Sequence, residues 1–108
     1  MAIPVQITFR DIDHSDAIEA RIFERVKRLE KFAARATGLH VTLAAPHQSG
    51  HKGQIYQFTL ELLMPKGDIV VKQGDTQNHA HEDVYVAMRD AFAALERRAH
   101  DHIEKRGP

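Results

Sequence analysis

Arg21, Arg25, Lys27, Arg28, Lys31 and Arg35 crowd into a short stretch of the chain and recur at spacings that a helix would gather onto one broad arc. On that arc only Glu24 interrupts them. Clustered cations bind phosphates by releasing counterions, and they can do so without a net positive protein. A second basic group, Arg97, Arg98, Lys105 and Arg106, lies near the end of the sequence. The plainer reading is that exposed lysine and arginine on a helix only solvate it. Two features favour binding instead: acidic residues are excluded from most of the arc, and the topology derived below sets the second basic helix beside the first.

Other chemistry is sparse. His79 and His81, and again His100 and His102, are two residues apart, a spacing that puts side chains on different sides of a helix. His79 and His81 precede the second helix, where an extended backbone could align them, but only Glu82 and Asp83 are close in sequence as further ligands, and no metal is expected. Ser49 lies between His47 and His51, but sequence adjacency is not a catalytic triad. The chain has no glycine-rich phosphate loop, no nucleophile elbow and no metalloprotease spacing, so neither catalysis nor a cofactor is expected.

The basic arc belongs to the stretch from Asp16 to Arg35, where Ile18, Ile22, Val26, Leu29, Ala33 and Ala36 repeat every three or four residues. This predicts an amphipathic helix opened by Ser15, with Asp16 and Glu19 at the positive end of its dipole. Glu19 and Glu30 border its apolar face on one side. Before it, Ile3, Val5, Ile7 and Phe9 alternate with polar residues, predicting a first strand over 2–10 with Pro4 at its start or edge. After it, Gly38 is the expected helix stop, and Leu39, Val41 and Leu43 alternate as a second strand. Strand, helix, strand in this order predicts a parallel pair with a right-handed crossover. Alternation from Tyr56 to Met64 marks a third strand, and Pro65 to Asp68 a turn with Gly67 free to take positive φ. A fourth strand over 69–73 completes an antiparallel meander whose outer face is wet. From about Glu82 the helical period returns in Val84, Met88, Ala91, Phe92, Leu95, Ala99 and Ile103. The whole is an α+β fold, β-α-β-β-β-α, with a four-stranded mixed sheet and both helices packed on one face.

Composition sets the outer limits. One domain spanning residues 1–108 accounts for the length, and formal net charge is zero with neutral histidines. There is no cysteine, hence no disulfide, and no apolar run long enough to span a bilayer. A cytoplasmic protein is expected. The eight histidines titrate near 6.5 when unperturbed. His14, just before the first helix, and His100 and His102, in the second, are therefore expected to add positive charge near the basic surface as pH falls.

Several local patterns together resemble the ribosome hibernation promoting factor and ribosome-associated inhibitor family, also called sigma-54 modulation proteins. They are Ser15-Asp16-Ala17-Ile18 opening the first helix, Arg25 with Arg28-Leu29-Glu30-Lys31-Phe32 closing it, Gly67-Asp68-Ile69 at the last hairpin, and Glu82 through Met88 running into Arg89-Asp90-Ala91-Phe92. The resemblance runs nearly end to end. It implies a fold similar to a double-stranded RNA-binding domain with an added strand. It also implies a seat on the small ribosomal subunit where messenger and transfer RNA would bind, and the short form of the family, without the domain by which long relatives pair ribosomes. On matched positions it carries an RNA-contacting role onto Arg25, Arg28 and Lys31, and onto Arg97 with Lys105 and Arg106, while Tyr85 matches as a structural position. The chain departs from the resemblance at Ala94 and Asp101, where many relatives place lysine.

Residues and resemblance together predict a non-enzymatic translation inhibitor that binds small-subunit ribosomal RNA in the decoding region through Arg21, Arg25, Arg28, Lys31, Arg35, Arg97, Arg98, Lys105 and Arg106. It is expected to act as a monomer off the ribosome, with no membrane or small-molecule ligand. The alternative is a regulator whose basic helix flank meets an acidic protein.

Overall fold

The computed structural model describes residues 3–45, 56–65, 67–73 and 83–105, with side chains as far as residue 101. Its elements run β1 (Val5–Arg10), α1 (Asp16–Leu29), β2 (Gly38–Ala44), β3 (Gln57–Leu63), β4 (Ile69–Gln73) and α2 (Val84–Lys105). The four strands lie in the order β1-β2-β3-β4. β1 pairs parallel to β2, and β2, β3 and β4 are successively antiparallel. This is the expected α+β topology.

Alternation explains which face is covered. Leu39, Val41 and Leu43 of β2, Phe58, Leu60 and Leu62 of β3, and Ile69 and Val71 of β4 are buried together with Ile22, Val26 and Leu29 of α1. The same core takes Met88, Ala91, Phe92, Leu95 and Ala99 of α2, so both helices cover one face. The residues between them along the strands point the other way. In register across that outer face run Gln6, His40, Glu61 and Val70, and beside them Thr8, Thr42, Thr59 and Lys72. These two rows are polar apart from Val70, and the His40 and Glu61 side chains approach to 3.4 Å in the first of them.

Pro4 sits where a missing N–H does least harm, ahead of β1, and its carbonyl accepts the Leu39 N–H at 2.9 Å. Ser15 caps α1 as its sequence suggests, its hydroxyl accepting the Ile18 N–H at 3.2 Å. Asp83 does the same for α2, accepting the Tyr85 N–H on its side chain at 2.9 Å and the Ala87 N–H on its carbonyl at 3.0 Å. Gly67 holds φ at 139° in the turn before β4, the conformation expected of a glycine there.

The end of α1 corrects the sequence reading. The helix stops at Leu29, not Arg35, and Gly38 is the first residue of β2 rather than a helix stop. Tightened bonds follow, from Lys31 N–H to Arg28 and from Phe32 N–H to Leu29, while the Glu30 carboxylate accepts the Ile3 N–H at 2.9 Å. From there the chain must return to the Thr37 N–H, which donates to the Leu63 carbonyl at 2.7 Å. A helix continued to Arg35 would carry the chain past that point. Ala33 stays buried although it is outside the helix, because the turn folds back over the same core. Gly38 packs close against β3: a Cβ there would meet Leu63 Cδ1 at 3.2 Å.

Candidate nucleic-acid interface

The two helices run side by side in the same direction, and two contacts fix their alignment. Near their beginnings the Arg21 guanidinium lies over the Tyr85 ring, 4.9 Å from its centroid. Further along, Arg28 Nε donates to Glu96 Oε1 at 3.1 Å. Tyr85 and Glu96 are eleven residues apart, about three helical turns, and so share a flank of α2. Arg21, Arg25 and Arg28 are four and three residues apart and share the facing flank of α1.

Like charges at these spacings repel, so each needs an answer. Arg21 has the π face of Tyr85 and a long approach to Glu24 at 3.9 Å, and Arg28 has Glu96. Arg25, between them, is half-buried and forms no ion pair or hydrogen bond among the described residues. A partly desolvated cation flanked by two tethered cations is an electrostatic demand for an anion.

The opposite flank of α1 shows why the rest of the helix is not equivalent. There Glu30 takes the Ile3 N–H, and Glu19 meets His14 Nε2 at 2.7 Å. His14 also approaches Asp16 at 3.5 Å and stacks edge-on with Phe9, its ring centroid 5.0 Å away. The His14 ring thus faces two carboxylates on the acidic border of α1, away from the arginine flank. His100 lies 4.0 Å from Asp101, and the His102 side chain falls outside the described residues.

The remaining predicted residues are dispersed. Lys31 and Arg35 are exposed in the turns after α1 rather than on its flank. Arg97 is exposed on α2, and Arg98, about 100° further round the helix, donates from Nη1 to the Val70 carbonyl on the edge strand β4. That bond engages Arg98 in blunting a sheet edge. The Lys105 side chain and Arg106 lie outside the described residues, as do Ser49, His47, His51, His79 and His81. A shallow open depression lined by Asp11, Ile12, Asp13, Ile18 and Tyr56 carries no cation and does not suit phosphate. Among the described residues no group of three or more His, Asp or Glu side chains could hold a metal ion.

Sequence reasoning missed Glu96 and Arg89. Arg89 lies one turn after Tyr85 and bonds Asp90 Oδ1 through Nη2 at 3.2 Å. The signal for Glu96 was available, since Tyr85 and Glu96 keep a helical register along the border of the apolar stripe. What it would touch was not.

The family model of the Sigma 54 modulation protein / S30EA ribosomal protein matches residues 5–107. The chain belongs to this family. Its members are ribosome-associated modulation factors and not enzymes. No curated protein matches the chain significantly in sequence. Among solved structures, the crystal structure of the Thermus thermophilus Protein Y N-terminal domain has a TM-score of 0.69 at 21% identity, covering 95% of this chain and 100% of that one. A ribosomal subunit interface protein from Coxiella burnetii has a TM-score of 0.74 at 13% identity, covering 93% and 97%. At these identities the likeness shows the fold. It places this family member's arginine flank on a scaffold that keeps α1 and α2 together on one face of the sheet.

Proposed function

We propose that the chain is a ribosome hibernation factor that binds small-subunit ribosomal RNA with the α1 flank facing α2, occupies the decoding region and blocks messenger and transfer RNA. The observation that carries this is Arg25, half-buried and without an anion among the described residues, between Arg21 and Arg28, each tethered to α2. Family membership supplies the ribosome as partner, and the arginines supply the chemistry. Arginine's planar fork suits phosphate bidentately and stacks on bases, which a flexible lysine does less well. Seven residues of helix rise span about 10.5 Å, so the flank can engage more than one phosphate of a folded RNA strand.

In this reading the factor acts in the cytoplasm as a monomer. Among the described residues no helix is long and apolar enough to cross a membrane. Co-sedimentation with purified small subunits tests the proposal directly. Association at low salt that is lost at high salt, and that ribonuclease destroys, is the expected result. Association that survives ribonuclease and follows an acidic ribosomal protein would overturn it in favour of the protein-partner alternative.

A further inference from the structure

Glu96 is the least expected member of the inter-helix surface, because a carboxylate beside a phosphate-binding arginine ought to weaken it. Its side chain is only 13% exposed, whereas Arg28, its partner, is 62% exposed. Of the Arg28 donors, Glu96 Oε1 accepts only the Nε–H. Neither terminal nitrogen of Arg28 has a partner among the described residues, and Glu96 Oε2 is buried with no hydrogen bond among them. Guanidinium carries five N–H donors in a rigid plane, so engaging Nε leaves the outer edge, Nη1 and Nη2, intact for a bidentate acceptor.

We infer that Glu96 is a positioning residue: it holds Arg28 by Nε across the helix pair so that the terminal nitrogens are presented, already oriented, to an RNA phosphate. The inference rests on the reading that Arg28 belongs to the RNA-binding surface. Holding a long side chain in its bound geometry removes an ordering cost from association. The cost of the nearby negative charge is kept small by the division of labour within one guanidinium, in which the carboxylate and the phosphate use different edges. Lysine could not divide itself this way, because its single ammonium would have to gather both anions about one nitrogen and has no separate edge to offer the phosphate bidentately.

The experiment measures affinity for purified small ribosomal subunits at fixed salt. Glu96→Ala is expected to weaken binding by about three- to tenfold, while Glu96→Gln, whose amide oxygen still accepts from Nε, stays within about threefold of the parent. In an Arg28→Ala background Glu96→Ala is expected to have no further effect, because its influence passes through Arg28. A variant set that retains every charge-bearing length covers the case in which Glu96→Ala folds poorly. Arg28→Lys is expected to bind nearly as weakly as Arg28→Ala, and adding Glu96→Gln to it should recover most of the loss. Tighter binding by Glu96→Ala than by the parent would show that Glu96 is only a competitor and overturn the inference. So would an equal effect of Glu96→Ala with Arg28 present and absent, or an Arg28→Lys chain that binds like the parent. If Arg28→Ala itself binds like the parent, the RNA surface has been placed wrongly and this inference fails with it.

Discussion

The two helices are built alike and use their arginines differently. Each buries one apolar stripe against the same sheet face, and each carries arginine on the remainder. On α1 the arginines recur at three and four residues and form a continuous flank, two of them reaching side chains of α2. On α2 they are scattered round the axis: Arg89 is bonded to its neighbour Asp90, Arg97 is exposed, and Arg98 reaches the edge of β4. The number of cations in a segment is therefore a poor measure of a binding surface. What matters is whether their spacing matches the helical period and what the adjoining element offers them.

The largest effect is expected in the core of α2. Phe92 is fully buried in the core that the sheet and both helices share, so Phe92→Ala is expected to cost about 3–5 kcal/mol by lost burial and cavity formation. Denaturant unfolding measures it. A loss below about 1 kcal/mol would show that the α2 stripe is not the centre of the core.

The binding side of the contrast comes next in size. Arg25→Ala with Arg28→Ala is expected to weaken small-subunit binding by about thirty- to several-hundredfold, each lost charge-assisted bond counting for about 1–2 kcal/mol. The log–log salt slope should flatten by roughly 0.7–0.9 for each phosphate contact removed. Stability should fall by about 1–3 kcal/mol, since Arg28→Ala leaves the largely buried Glu96 carboxylate without its partner. An equal loss of affinity from Arg97→Ala with Arg98→Ala would erase the difference between the helices.

Arg98 and Arg97 are adjacent and should separate in stability alone. Arg98→Ala removes a donor from the Val70 carbonyl and is expected to cost about 1 kcal/mol, whereas Arg97→Ala should stay within about 0.5 kcal/mol. Thermal melts of the two variants side by side decide it, and indistinguishable melts would mean that the β4 edge does not depend on α2. The smallest effect belongs to the acidic flank of α1. Because His14 faces Glu19 and Asp16, His14→Gln is expected to change small-subunit affinity by less than about twofold at both pH 6 and pH 7.5. A variant that lost a pH dependence present in the parent would place His14 at the RNA after all.

Periodicity alone determined the order of elements, most of the buried residues among those described and the single covered sheet face, because alternation by two and by three or four is a direct record of which side chains avoid water. It also placed Ser15 at the start of α1 and the arginine arc on its surface, since caps and helical wheels depend only on neighbours in sequence. Tertiary structure decided the rest. It ended α1 at Leu29, because the chain had to return to β2 beside Leu63, a partner far along the sequence. It withdrew Arg98 to the β4 edge and His14 to the acidic border, and it set Glu96 against Arg28. Those pairings join residues on separate elements whose alignment is set by how the helices pack on the sheet. A linear pattern records which face a residue lies on, and the identity of the side chain opposite it exists only once the faces have met.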